Sequence, residues 1–176
     1  GSAGAQSALG KKPAKEDVFR PTLRHLADRS GARLRAKSRS CRTVTVRVRF
    51  ADLRSVTRSA TLDAPISATA IIADIAEGLV RMALADHPTE KTISLLAISV
   101  SNLEKDSELQ MESSFGLGDE RFRPGTRRGM ARRAADCAID KIRNRFGWDS
   151  VGYGSVMLGT SRSVPDGFRV LAEKEL

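Results

Sequence analysis

Thr43-Val-Thr-Val-Arg-Val-Arg-Phe50 is the most regular stretch of the sequence, with polar and apolar side chains alternating at every position. A period of two residues is typical of a β-strand that buries one face. The valines and the phenylalanine then share the buried face. Thr45, Arg47 and Arg49 share the opposite face. The pattern therefore predicts a strand that presents two guanidinium groups and a hydroxyl to solvent.

A second strand is predicted over residues 55–62, after a short turn at 51–54. Val56, Ala60 and Leu62 alternate there with polar residues. Two alternating runs joined by a short turn favour an antiparallel hairpin. Thr57 and Ser59 are then expected beside the polar face of the first strand, whereas Arg58 has the parity of the apolar residues.

The remaining regular elements complete an α+β unit. Residues 3–9 and 93–100 are predicted as strands. Apolar residues at helical spacing predict one helix between 18 and 34. They predict a second helix after Pro65, with Ser67 as its N-cap. The second helix has the apolar positions Ile71, Ile72, Ile75, Leu79 and Met82.

The predicted order is βαββαβ, a four-stranded, mainly antiparallel sheet. Two helices cover a small sheet most economically when both pack on one face, which leaves the other face open. We expect this unit to span residues 1–103. A polar linker is predicted over 104–126, and a basic helix with a partly ordered tail over 127–176.

The helix in that C-terminal extension is predicted over residues 127–146. We expect its apolar positions to form the packed face, with arginines and lysines directed outward. Those positions are Met130, Ala134, Cys137, Ala138, Ile142 and Phe146.

The charge of the chain indicates a polyanionic partner. Thirty lysines and arginines stand against 21 acidic residues, which gives a net charge of +9 and a pI near 10.2. Such a balance favours nucleic acid or an acidic membrane surface. No apolar run reaches the length of a membrane span. Cys41 and Cys137 show no zinc or disulfide spacing, which fits a reducing cytoplasm.

Several of these stretches together resemble the little finger domain of Y-family DNA polymerases. They are Leu26-Ala-Asp-Arg, Arg33-Leu-Arg, the run from Arg42 through Asp52, and Thr57-Arg-Ser-Ala-Thr-Leu62. The resemblance is to bacterial DNA polymerase IV (DinB) proteins, particularly actinobacterial ones. It extends from Ser2 to about Leu103 and, more weakly, through the tail to Val156.

The resemblance implies a βαββαβ module that holds double-stranded template-primer DNA mainly through its backbone, without sequence preference, during translesion synthesis. It places Thr57, Arg58 and Ser59 at the DNA backbone. The strand pattern adds Thr45, Arg47 and Arg49 to the expected DNA-binding residues, and Arg42, before the alternating run, is expected to contact either phosphates or only water. The parent polymerase would be a cytoplasmic, nucleoid-associated bacterial enzyme, and this chain is expected to be a monomer.

The resemblance also implies a sliding-clamp-binding segment after the last strand. The candidate residues are Gln110, Met111 and Phe115. The segment departs from the usual pattern, because methionine stands where leucine is common and Ser113 replaces an apolar residue. A plain linker with one stray phenylalanine stays open as an alternative.

No catalytic activity is expected of the chain alone. Nucleotidyl transfer needs clustered carboxylates that hold two divalent metals. The acidic residues here are dispersed, and in the family those carboxylates belong to the missing polymerase core, which is expected to use Mg²⁺. No nucleotide-binding glycine loop is present. His25 and His87 have no cysteine, carboxylate or serine at a sequence spacing typical of a metal or catalytic site. No cofactor is therefore expected in this chain.

Other functions stay open from the residues themselves. Charged residues on a strand can serve solubility alone. A protein-docking module, or an RNA-binding module of similar shape, is an alternative, although RNA-binding sheets stack bases on aromatic side chains. The basic helix over 127–146 fits a DNA backbone, a solvated face or a lipid surface.

Overall fold

The computed structural model describes residues 1–106 and 127–154. Within them lie four strands and three helices, followed by a short 3₁₀ turn at Trp148–Ser150. The strands are β1 (Ala3–Pro13), β2 (Arg39–Phe50), β3 (Ser55–Ile66) and β4 (Thr92–Lys105). The helices are α1 (Glu16–Ala36), α2 (Thr69–Ala85) and α3 (Arg127–Phe146).

The strands form one antiparallel sheet in the order β1-β4-β2-β3. In the central strand β2, Thr45 lies opposite Ser59 of β3 and Ser99 of β4. Arg47 lies opposite Thr57 and Ala97 in the same register. The α+β architecture with the order βαββαβ is confirmed, and the hairpin of β2 and β3 has the predicted pairing.

The core lies between one face of this sheet and the helices α1 and α2. Val44, Val46 and Val48 have no exposed surface, and Phe50 is 1% exposed. From α1, Leu23, Leu26 and Leu34 pack into the same cluster. The opposite face of the sheet has no helix over it in the described residues, as predicted.

Two details of α2 differ from the sequence prediction. Ala68, not Ser67, occupies the N-cap position, and no side chain of α2 caps the helix. The N–H of Thr69 donates instead to Asp136 Oδ2 of α3 at 2.8 Å. Met82 was wrongly predicted to lie in the core, since it is 56% exposed. The small side chains of Ala76 and Ala83 let α2 lie close to its neighbours on the buried side.

The last strand is longer than predicted. β4 continues to Lys105, two residues into the predicted linker. Beyond it, the N–H of Asp106 donates to the carbonyl of Ser38 at 2.9 Å. Among the helices in the described part of the chain, none has the length and apolarity of a membrane-spanning segment.

Helix α3 has the predicted bounds, but the side of the helix that packs inward is not the predicted one. Asp136 is 2% exposed and Arg143 is 7% exposed, so the buried side of the helix is polar. The predicted packed face is wrong at Ala134, Ala138, Ile142 and Phe146, which are all exposed. Cys137 is half-buried, and the side chain of Met130 lies outside the described part.

Ion pairs hold α3 against α1. The guanidinium of Arg35 donates to both carboxylate oxygens of Asp140, at 2.6 and 3.1 Å, and to Asp136 at 3.2 Å. Arg143 and Asp28 form a second two-bonded pair, at 2.9 and 2.8 Å. Bidentate pairing of this kind is the strongest geometry between arginine and a carboxylate. The docking of α3 is therefore electrostatic.

Burial shapes the charges in this contact. Burial raises the pKa of Asp136, and the hydrogen bond from Thr69 and the charge of Arg35 oppose this effect without cancelling it. Burial alone would lower the pKa of Arg35, but the hydrogen bond to Asp140 and the neighbouring carboxylates raise it overall. The hydroxyl of Tyr153 donates to Asp136 from the far side.

Gly31 of α1 makes room for the docked helix. A Cβ at this position would lie 2.9 Å from Arg35 Nη1 and 3.0 Å from Thr69 Oγ1. Glycine inside a helix costs about 1 kcal/mol relative to alanine. The absent side chain lets the guanidinium of Arg35 reach the carboxylates of α3.

Candidate nucleic-acid interface

The open face of the sheet presents polar side chains in cross-strand rows. The register places Gln6, Ala97, Arg47 and Thr57 in one row. The neighbouring rows are Gly4–Ser99–Thr45–Ser59 and Ala8–Leu95–Arg49–Ser55. Because paired residues point to the same side of a sheet, the side chains of each row share this face. Below, "the open face" means these three rows.

The two arginines of β2 are the cations of the open face. Arg47 is exposed, and its Nη2 donates to Gln6 Oε1 at 3.4 Å. Arg49 is half-buried, and its Nε donates to Ser94 Oγ at 3.0 Å. Ser94 in turn donates to the carbonyls of Arg49 and Phe50. Neither arginine is covered by another element of the described structure.

Neither Arg47 nor Arg49 has a carboxylate partner among the described residues. Several other arginines are paired with acidic side chains. Examples are Arg20 with Glu77 and Arg81 with Glu16 on the helix side, besides the buried pairs of α3. The positive charge of the open face is therefore available to an external anion.

Hydroxyl groups surround these charges. Thr57 and Ser59 are exposed on β3, and Thr45 is half-buried on β2. Such groups donate to phosphate oxygens in protein–DNA complexes. The structure brings Thr45, Arg47, Arg49, Thr57 and Ser59 together on one surface, as the strand periodicity predicted.

Arg42 and Arg58 lie apart from that group. Arg42, beside the irregularity between Cys41 and Thr43, pairs with Glu104 and donates to the carbonyl of Asp63. Arg58 lies opposite Val46 and is therefore on the helix side of the sheet. Its Nη2 lies 2.7 Å from Asp86 Oδ2, at the end of α2. Both guanidinium groups thus have carboxylate partners.

Two polar residues of the open face were missed from the sequence. Gln6 of β1 and Ser99 of β4 are exposed beside the arginines and hydroxyls. The first strand shows no clear alternation, since Gln6 stands between Ala5 and Ser7, so the sequence pattern did not assign a face to Gln6. The partner of that strand was not specified by the sequence pattern, so the row could not be assembled.

The predicted clamp-binding residues Gln110, Met111 and Phe115 lie outside the described residues. Residues 1–106 and 127–154 contain no group of three or more histidine, cysteine or acidic side chains arranged to hold a metal ion.

Comparison with protein families matches residues 2–113 to the C-terminal domain of the impB/mucB/samB family. Among curated proteins, the chain is 68% identical over 175 residues to DNA polymerase IV 2 of Mesorhizobium japonicum. That match covers 99% of this chain and 42% of the relative. DNA polymerase IV 2 of Agrobacterium fabrum is 29% identical over 111 residues, which cover 63% of this chain and 30% of that protein. The chain thus spans less than half the length of these relatives.

Solved structures show the same fold. The insertion ternary complex of Dbh DNA polymerase matches with a TM-score of 0.53 and 14% identity. DinB from Sulfolobus solfataricus matches with a TM-score of 0.53 and 15% identity. Each likeness covers 59% of this chain and 29% of the other. A Dbh-containing Y-family DNA polymerase chimera matches equally well.

Proposed function

The chain belongs to the impB/mucB/samB family of C-terminal domains, and on that premise we propose that its open face binds the backbone of duplex DNA. The observation that carries the proposal is that neither Arg47 nor Arg49 has a carboxylate partner within residues 1–106 and 127–154. Arginines that lack an internal carboxylate attract phosphate groups.

The positions of the two arginines support a backbone contact. They are two residues apart on one strand, so their side chains start about 6.6 Å apart on the same face. Thr45, Thr57 and Ser59 add hydroxyl donors in the neighbouring rows. Contacts of this type fix a duplex without reading its sequence. We assign these five residues to the centre of the footprint.

Arg42 and Arg58 belong to the margin of the proposed footprint. Each would exchange a carboxylate, Glu104 or Asp86, for a phosphate. Because that exchange breaks an existing ion pair, their net contribution to affinity is smaller than that of Arg47 or Arg49.

Single-stranded RNA fits the open face less well. Proteins that bind it stack bases on aromatic side chains. The three rows of the open face contain no aromatic residue, and Phe50 of β2 is directed into the core. Phosphate contact is the interaction that these rows can make.

In a longer polymerase, the chain would hold the template-primer duplex during translesion synthesis. The named relatives are DNA polymerases, and we place the parent protein in the bacterial cytoplasm at the nucleoid. The chain itself is proposed to be a monomer. Tethering to a sliding clamp through Gln110, Met111 and Phe115 stays a prediction of the sequence, as does the likeness to actinobacterial members.

The salt dependence of DNA binding tests the proposal. Each phosphate contact contributes about −0.9 to the slope of log affinity against log salt. Changing Arg47→Gln and Arg49→Gln together should flatten that slope by roughly two units. Fluorescence anisotropy with a labelled template-primer duplex, measured over a range of salt concentrations, gives the slope.

A matched control removes two charges elsewhere. Lys141→Gln with Arg145→Gln changes exposed positions of α3 by the same net charge. We expect this pair to leave the slope unchanged. If the α3 pair flattens the slope and the β2 pair does not, the footprint lies on α3 and the open face is not the interface.

A further inference from the structure

The turn between β2 and β3 holds a leucine in an unfavourable backbone conformation. The N–H of Leu53 donates to the carbonyl of Phe50 at 3.2 Å, and Phe50 N–H donates to the carbonyl of Arg54 at 2.9 Å. Leu53 has a φ of 69°. A three-residue hairpin loop with a left-handed third residue normally carries glycine at that position. The sequence places a bulky apolar residue there.

Leu53 gives the fold no packing in return for this conformation. Its side chain is 69% exposed, more than any other large apolar side chain in the described residues. A left-handed conformation costs a residue with a Cβ roughly 1–2 kcal/mol. A locally disfavoured residue that contributes nothing to the core is a candidate for function.

Charged side chains bridge the turn. Asp52 Oδ1 accepts from the backbone N–H of Arg54 at 3.0 Å. The guanidinium of Arg54 pairs with Asp52 and with Glu90, which precedes β4. Beneath the turn, the ring of Phe50 contacts His87 at 5.4 Å between centroids. Leu53 therefore projects from a turn whose neighbouring residues are bonded to one another and to Glu90.

The turn adjoins the open face. Arg49 and Ser55 are paired in the last row before it, and Leu53 lies two residues from Ser55. A duplex that contacts Arg49 passes this end of the sheet. In protein–DNA complexes, apolar side chains contact base edges in the grooves, and arginines contact the neighbouring phosphates.

We propose that Leu53 is an apolar DNA contact at the end of the open-face footprint, where it packs against the sugars or base edges of the bound duplex. This inference rests on the proposed DNA binding of the open face. The occupant of the site is the same duplex that Arg47 and Arg49 hold. The contribution of the Leu53 side chain to DNA binding then offsets the free-energy cost of its backbone conformation.

The test compares replacements that separate the side chain from the backbone. Leu53→Asn tolerates the left-handed conformation and removes the apolar group. Leu53→Met keeps an apolar group on the same backbone. Met82→Ala is the matched control, because Met82 is 56% exposed on α2. Each variant is assayed for affinity to a template-primer duplex over a salt series, and for its melting temperature.

Leu53→Asn should bind DNA about fivefold more weakly, the loss expected when half of a leucine side chain no longer leaves water. Its slope of log affinity against log salt should be unchanged, because no phosphate contact is lost. Its melting temperature should equal or exceed that of the parent chain. Leu53→Met and Met82→Ala should bind as the parent chain does.

Three results would overturn the inference. The first is parental affinity in Leu53→Asn, which would leave a protein partner as the reason for the exposed leucine. The second is a flatter salt slope in that variant, which would mean that the turn acts through the arginines. The third is a lower melting temperature, which would give Leu53 a folding role. A parent chain that fails to bind DNA at all rejects the proposed function instead.

Discussion

Cys41 shows how strongly a single position of the central strand is shielded. Its side chain has no exposed surface, and burial raises the pKa of its thiol to about 12. The thiolate is the form that reacts with alkylating reagents. Cys41 should therefore be inert near pH 8, both because it is covered and because it stays protonated.

Alkylation followed by mass spectrometry checks this expectation. Iodoacetamide at pH 8 should modify half-buried Cys137 in the folded chain and leave Cys41 unmodified. In denaturant both cysteines should react. Modification of Cys41 at the same rate in the folded and denatured chain would contradict the described packing of β2.

At the residue scale, sequence periodicity predicted which face a side chain occupies but not what it pairs with. The alternation of β2 and β3 correctly placed Arg47, Arg49 and Thr57 on the open face and Arg58 on the other. The ion pair of Arg42 joins positions 62 residues apart in the chain. A separation of 62 residues is far longer than any local sequence pattern, so the pairing with Glu104 could not be predicted.

At the element scale, α3 packs through charges that are buried. The Arg143–Asp28 pair is 6% and 2% exposed at its two side chains. Removing one member of such a pair leaves the other buried without compensation, which typically costs about 3–5 kcal/mol. Arg143→Met should therefore destabilise the docking of α3 by about this amount.

Trp148 offers a probe of this docking. It is the only tryptophan in the sequence, and its ring lies 3.9 Å from the guanidinium carbon of Arg143. Urea titration followed by tryptophan fluorescence should show α3 released early in Arg143→Met. Arg143→Met combined with Asp28→Asn should recover much of the loss. Arg133→Gln, which removes an exposed pair with Asp106, should change stability by less than about 1 kcal/mol.

The orientation of α3 is the clearest failure of the helical pattern. Its bounds were predicted correctly, because helix formers and Gly147 mark them; Gly147 has a φ of 95° after the last turn. The buried side of α3 was predicted wrongly, since the apolar stripe of this helix is weak and rich in alanine. Bidentate ion pairs with residues more than a hundred positions away direct the polar side inward. Those partners come from the tertiary fold and leave no periodic signal in α3.

At the scale of the whole molecule, the architecture was predictable because each strand has a consistent pattern. Alternation in β2 and β3 and helical spacing in α1 fixed the number, type and order of the elements. The position of β4 between β1 and β2 depends on packing between distant segments. The sequence analysis did not predict that arrangement, because no local pattern specifies which distant strands pair.

The chain by itself is predicted not to extend a primer. It matches a C-terminal domain family and spans 42% of its Mesorhizobium relative. The resemblance assigns the metal-binding carboxylates to the polymerase core. Incubation with a primed template, Mg²⁺ and all four deoxynucleotides should yield no elongated product on a denaturing gel. Extension that survives further purification would show that the chain carries its own catalytic site.

The space that Gly31 leaves in α1 bears on where this domain ends. Gly31 leaves space for Arg35, whose guanidinium bonds the carboxylates of α3 as well as Ser67 and Thr69. The family match stops at residue 113, before α3 begins. A protein cut at the family boundary would lose Asp136, Asp140 and Arg143, the ion-pair partners of Arg35 and Asp28. The 68% identity to the Mesorhizobium protein spans 175 residues and so includes α3. We therefore expect the folding unit to extend beyond the segment that the family model matches, since buried ion pairs join α3 to α1.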